Sequence, residues 1–167
     1  MLNLSAKRPN KLYCMDRVLV IHDMSALAQL RRDLIEMVGS EQARRIFTRF
    51  GYFWGQSDAV AMKRIFHWDN KTEWLKAGPE LHMLQGVTKV ELKRFDIDEV
   101  AEHLLIEALW HNSVEAEEHL TELGTAAEPL CWILVGYASG YASYCLGKSV
   151  YFIEKNAGQK AMLFVQQ

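Results

Sequence analysis

Few residues in this 167-residue chain have types and spacings suited to chemistry, and each competes with a packing role. Glu115 and His119 stand four apart in a run that also holds Glu117 and Glu118. That spacing can set two metal ligands on one helical face, but neither an HExxH nor a third helical ligand accompanies it. The run reads as a solvated helix face. Leu146-Gly147-Lys148-Ser149 has the ending of a phosphate-binding loop. The motif needs a glycine where Ala142 stands, and it must join a strand to a helix, so Gly147 reads instead as a helix C-cap. No serine lies in GxSxG, and no carboxylate pair is marked out by its surroundings, so no catalytic constellation is specified. His82 lies among Leu81, Met83 and Leu84, where a histidine is more often a satisfied core residue than a ligand contact. Trp110, one of five tryptophans, precedes the polar His111-Asn112. A histidine ring nitrogen and an indole N–H make a good pair for one buried phenolic oxygen, with apolar walls accepting the ring. Either group left dry and unpaired costs about 1–3 kcal/mol, so such a pocket discriminates by polarity as well as by shape.

The elements that must position these residues follow from periodicity. Residues 1–15 are polar, with Pro9-Asn10 as a breaker, and read as an irregular arm or linking strand; Asp16–Ile21 is a short strand. From Met24 apolar residues recur at helical spacing to Val38, and Gly39 ends the run. Ser40 caps a second helix with Ala43, Ile46, Phe47 and Phe50 inward and Arg44, Arg45 and Arg49 outward. A third helix is expected over Ser57–Phe66, capped at Ser57 with Asp58 at its positive end. Lys71–Ala77 holds one or two helical turns before a turn at Gly78-Pro79. Alternation from Gly86 to about Phe95, a turn at Asp96–Glu99 and a partner strand over Ala101–Trp110 make a hairpin. Ser113–Leu123 is a helix that Ser113 caps and Gly124 ends, and Leu130–Leu146 is another. Val150–Glu154 and Ala161–Val165 are closing strands around an Asn156–Gly158 turn. The order predicts one α+β domain in which N-terminal helices and later helices pack on a β-meander or hairpin.

Half of the residues are hydrophobic and 24% are charged, a balance that suits a packed core and not a disordered chain. A net charge of −2 and scattered Arg and Lys pairs give no basic field for nucleic acid, so direct contact with DNA is not expected. Three cysteines, Cys14, Cys131 and Cys145, are too few and too unevenly spaced for a disulfide framework. Reduced thiols, no signal peptide and no membrane span make the cytoplasm the default location.

Four blocks in order carry a resemblance over most of the chain: residues 25–59 (SALAQLRRDLIEMVGSEQARRIFTRFGYFWGQSDA), 77–86 (AGPELHMLQG), 109–120 (LWHNSVEAEEHL) and 128–141 (EPLCWILVGYASGY). Together they resemble the sensory domain of the sigma-54-dependent activators of aromatic catabolism, regulators that sense phenol and toluene-type compounds. The resemblance implies a regulatory fold combined with a 4-vinyl-reductase-like module (here about residues 86–167), a homodimer, and an enclosed aromatic effector. It implies that His82 and Trp110 hold the phenol hydroxyl and that Tyr141 and Phe152 line or close the pocket. Residues 1–24, an N-terminal arm with a short strand, are then a candidate dimer contact, and residues 25–167 form the sensor.

The family usually holds zinc through the cysteine of the P-x-C-W block, a glutamate and two cysteines in a following loop. Cys131 and Glu154 match the first two, but the loop from Lys155 to Ala161 holds no cysteine. Two protein ligands cannot make a closed zinc site, and Cys145 lies roughly 20 Å along a helix from Cys131. Either the metal has been dispensed with or the loop was altered by engineering; no cofactor and no zinc are expected. The ATPase and helix-turn-helix portions of such regulators have no counterpart in this sequence. The reading is a ligand-operated switch that relieves repression of a downstream ATPase and performs no chemistry of its own. Its rivals are a tetrapyrrole vinyl-reductase-type enzyme subunit, which lacks a dinucleotide fingerprint here, and an acyl-chain-binding adaptor of similar fold.

Overall fold

Helical periodicity sets the frame of the computed structural model, which describes residues 4–8, 11–14, 17–21, 23–98, 103–125, 128–155 and 161–166. Helix α1 (Ser25–Val38) gives way at Gly39, φ +83°, to α2 (Ser40–Ile65). The break expected at Ser57 does not occur, and α2 runs unbroken for 26 residues. Asp58 is fully buried and is satisfied by Arg17, Gln85 and Tyr137 rather than by a helix N-terminus. Ala43 and Phe47 are buried as expected, whereas Ile46 and Phe50 face outward.

Helix α3 (Lys71–Leu84) starts at Asn70, whose side chain accepts the Glu73 N–H, and it passes through Gly78-Pro79 instead of turning there. A residue before proline resists the helical region because its Cβ crowds the proline ring. Gly78 has no Cβ, so the helix continues at the cost of the one hydrogen bond that Pro79 cannot donate. Helix α4 (Val114–Leu123) has Ser113 as its N-cap, with Oγ accepting the Ala116 N–H at 3.3 Å, and Gly124 at φ +82° follows it. Helix α5 (Trp132–Leu146) ends at Gly147 in the left-handed conformation, so the GKS tripeptide is a C-cap and not a phosphate loop.

Helices α2 and α5 meet backbone to backbone. A Cβ added at Gly51, Gly55, Gly136 or Gly140 would lie 2.0, 2.1, 2.0 or 1.9 Å from a carbonyl oxygen of the facing helix. Both glycine pairs are spaced by four, so one bare stripe on each helix lets the axes approach until Cα–H groups touch carbonyls. Two glycines in α5 therefore strengthen the packing that their low helix propensity would otherwise weaken.

Strands β1 (Leu4–Arg8), β2 (Lys11–Cys14) and β3 (Arg17–Leu19) form an antiparallel meander. Of the two readings of residues 1–15, irregular arm or linking strand, the described residues show strands, with Arg8 paired to Lys11; Pro9-Asn10 lies outside the described residues. The second sheet combines β4 (Lys89–Asp98), β5 (His103–His111), β6 (Tyr151–Glu154) and β7 (Ala161–Gln166) in the order β4-β5-β7-β6, all antiparallel. Ile97 pairs with Leu104 and Asp98 with His103, which carries the hairpin past the turn expected at Asp96. The remainder of that turn and the expected Asn156–Gly158 turn lie outside the described residues. Among the described residues no helix is long and apolar enough to cross a membrane.

Candidate functional site

The β4–β5 ladder builds one wall of a cavity of about 50 Å³. On β5, Ile106, Ala108 and Trp110 point to the same face by the period of two. Opposite them on β4, the register slips between Leu92 and Arg94, leaving Lys93 as an extra residue. The slip changes the parity of the strand, so Val90, Leu92 and Phe95 all face the cavity, opposite Trp110, Ala108 and Ile106. Without it Phe95 would point outward and Arg94 inward.

Helices α3 and α5 close the other side. The four residues singled out from the sequence, His82, Trp110, Tyr141 and Phe152, come together on this one cavity, none more than 6% exposed. Phe152 is set by two serines of α5. Ser139 Oγ accepts the Phe152 N–H at 3.0 Å and Ser143 Oγ accepts the Val150 N–H at 2.9 Å, which fastens β6 onto the helix. Tyr141 donates its hydroxyl to the Trp74 carbonyl at 3.0 Å, so it offers the cavity a ring and not a free O–H. That ring packs against Gly78, where an added Cβ would meet it at 2.8 Å.

His82 is the polar exception in an apolar shell. Its Nε2 is buried with no hydrogen-bond partner among the described residues. Burial pushes its pKa down to about 3, so the ring is neutral at physiological pH. It lies against Tyr137, ring centroids 3.6 Å apart, and edge-on to Trp54 at 6.2 Å. Tyr137, which sequence reading passed over, donates its hydroxyl to Asp58 Oδ2 at 2.9 Å. The usable signal was its spacing of four from Tyr141, which puts both rings on one face of α5.

The Glu115–His119 run is a correction. Glu115 is buried and His119 nearly so, while Glu117 faces solvent. Arg31 of α1 donates to Glu115 Oε1 at 2.9 Å and to the Leu130 carbonyl at 2.8 Å, with its guanidinium 3.8 Å above the Trp132 ring. The Glu115 carboxylate also accepts the N–H groups of Ile133 and Leu134, free donors in the first turn of α5. Burial pushes Glu115 up to about 7, against the pull of Arg31 and these N–H groups. The cluster ties α1, α4 and α5 together.

Cys131 and Glu154 are adjacent, as the resemblance implied. The Cys131 N–H donates to Glu154 Oε2 at 2.9 Å, and its Sγ lies 3.3 Å from Ser113 Oγ. Glu154 Oε1 is buried with no partner among the described residues. Burial, and then the carboxylates of Glu154 and Glu115, push the Cys131 thiol well above its ordinary pKa. Among the described residues no three His, Cys, Asp or Glu side chains converge to hold a metal, and residues 155–161 contain none of these types. This donor set does not fit a closed zinc site.

Residues 1–98 match the profile of a family described as activator of aromatic catabolism. The chain is 37% identical over 139 residues to the phenol regulator MopR of Acinetobacter guillouiae, covering 83% of this chain and 25% of that protein. It is 36% identical over 144 residues to the transcriptional regulatory protein XylR of Pseudomonas putida, covering 86% of this chain and 25% of that one. The chain thus spans about a quarter of the length of these relatives. The crystal structure of the phenol-responsive sensory domain of the transcription activator PoxR with phenol matches with a TM-score of 0.89 at 29% identity. That match covers 97% of this chain and 83% of the other.

Proposed function

The chain belongs to the family of activators of aromatic catabolism, and on that premise we propose that it encloses one small phenolic molecule as the sensing domain of a transcription activator. The observation that carries this reading is the neutral, buried imidazole of His82 in an otherwise apolar cavity, its Nε2 without a hydrogen-bond partner among the described residues. A phenol O–H can donate to an unprotonated ring nitrogen of His82 while its oxygen accepts the Trp110 indole N–H. Tyr141 and Phe152 then supply apolar wall. Two relatives are described by their response to phenol, in keeping with this assignment.

The domain works by binding and not by reaction. Tyr137 and Tyr141 have committed their hydroxyls to Asp58 and Trp74. A histidine held neutral down to about pH 3 is poorly matched to proton transfer near pH 7. A volume of about 50 Å³ disfavours a tetrapyrrole or a long acyl chain. It is also below the roughly 150 Å³ that houses benzene in an engineered cavity, so the effector must press the walls outward. That displacement is the differential contact through which occupancy can favour one state over another and relieve repression of a downstream ATPase. We assign the domain to a cytoplasmic homodimer without zinc. Exposed Val20, Ile21, Phe50 and Phe53 around one surface groove offer a dimer contact that includes the N-terminal arm, residues 1–24. The Cys131–Glu154 and Cys131–Ser113 contacts hold the segment where the sequence resemblance would place a metal.

Calorimetric titration of phenol and simple aromatics against the wild type and His82→Ala tests the proposal. Phenol should bind the wild type and lose about tenfold or more in the variant. Failure of every monoaromatic to bind sinks the reading, and unchanged phenol affinity in His82→Ala sinks the role of His82.

A further inference from the structure

We infer that Asp58 is a positioning residue for effector discrimination, holding His82 in register for a hydroxyl through Tyr137 and Gln85 and tying that register to the N-terminal sheet through Arg17. The inference rests on the phenol reading of the same cavity. Asp58 lies in the middle of α2 with its side chain fully buried, and it does not line the cavity. Three donors from three other elements converge on its carboxylate. Tyr137 of α5 donates to Oδ2 at 2.9 Å, Gln85 Nε2 to the same oxygen at 2.8 Å, and Arg17 of β3 to Oδ1.

Two of these donors bracket His82. Tyr137 is the ring on which the imidazole lies, and Gln85 is the C-cap residue of α3, three positions after His82. One carboxylate therefore fixes both the surface under the imidazole and the end of the helix that carries it. The third donor supplies the countercharge that a buried carboxylate requires, and it comes from a strand 41 residues away in sequence. Loss of Arg17 leaves Asp58 short of positive charge and loosens its hold on Tyr137, so the pitch of the His82 ring is no longer fixed.

A loosened imidazole harms only a ligand that bonds to it. Phenol loses affinity, whereas benzene, which needs the cavity walls alone, does not. By reciprocity, a hydroxylated ligand that fixes His82 also tightens the attachment of β3, and benzene does so less. The affinity ratio of phenol to benzene is thus a readout that a general packing defect would leave unchanged.

The test uses the whole chain with phenol and benzene as probes. Tyr137→Phe keeps the ring and deletes the hydroxyl, Arg17→Met keeps the stem and deletes the charge, and Arg17→Lys restores the charge. Tyr137→Phe and Arg17→Met should each weaken phenol about tenfold while benzene stays within about twofold, and Arg17→Lys should recover most of the loss. Hydrogen exchange at residues 17–19 should slow with phenol more than with benzene. Phenol and benzene weakening together in both variants, or an unchanged ratio, overturns the inference while the phenol reading stands. A wild type without preference for phenol over benzene overturns that reading, and this inference with it.

Discussion

Acidification should unfold this domain in a way that reports directly on His82. An ordinary histidine titrates at 6.5, and burial lowers His82 to about 3 in the folded state. The unfolded chain therefore takes up a proton as pH falls through 6.5, and the folded chain does not until near 3. The contribution is fully present above pH 6.5 and is lost as pH falls from there toward 3. At pH 5, about 1.5 pH units below the unfolded value, the loss is ~2 kcal/mol at about 1.4 kcal/mol per unit. Glu115 works in the opposite sense: its pKa is raised from 4.5 to about 7, so it favours the folded state more as pH falls through that window. Comparison with His82→Phe cancels this and every other titration. Urea unfolding of both proteins at pH 7.5 and pH 5 should show the wild type losing ~2 kcal/mol more than the variant. Equal losses in the two proteins would refute a dry, neutral His82. Phenol affinity of the wild type should stay flat between pH 5 and 8, and a fall centred near 6.5 would refute it independently.

Other perturbations address the frame. Gly140→Ala sets a Cβ 1.9 Å from the Tyr52 carbonyl, so α2 and α5 must part by more than an ångström; we expect a loss of about 3 kcal/mol in chemical denaturation. Gly78→Ala meets the movable Tyr141 ring, not backbone. With the added crowding of a Cβ before Pro79 it should cost about 2–3 kcal/mol of stability and weaken aromatic binding about tenfold by turning that ring into the cavity. Arg31→Met removes the cation beside Glu115, whose carboxyl, already pushed up to about 7, then takes up a proton; we expect a loss of about 1–3 kcal/mol in urea unfolding near neutral pH, with Glu115→Gln in the same chain restoring part of it.

What could be read from the sequence was whatever local pattern decides. Ser113, Gly124 and Gly147 act as caps because capping chemistry is complete within a few residues. The hairpin and the four cavity residues were legible, the former from alternation and the latter chiefly from family blocks. Three of the errors share one cause, a charged or backbone-limiting residue whose partner is remote. Asp58 looks like a helix start unless Arg17 and Tyr137 are known to reach it. Glu115 looks solvated unless Arg31, 84 residues away, is placed beside it. Gly78-Pro79 looks like a turn, although the bare Gly78 is what lets the helix pass under Tyr141. The shift at Lys93 that brings Phe95 inward leaves no mark in composition, because it depends on how β4 registers against β5.

The small volume of the cavity also sets a clock. A space of about 50 Å³ is too small for an aromatic ring, so an aromatic molecule settles beside His82 only when the walls part. Association is then limited by the frequency of opening and not by diffusion, and rising ligand concentration drives the observed rate to a plateau. Apparent affinity is the intrinsic affinity reduced by the fraction of time the walls stand apart. Tighter wall packing would slow arrival and departure together, leaving the preference among ligands untouched. Exchange rate and chemical preference can therefore be tuned separately, the first through Phe152 and its serine anchors, the second through His82 and Trp110.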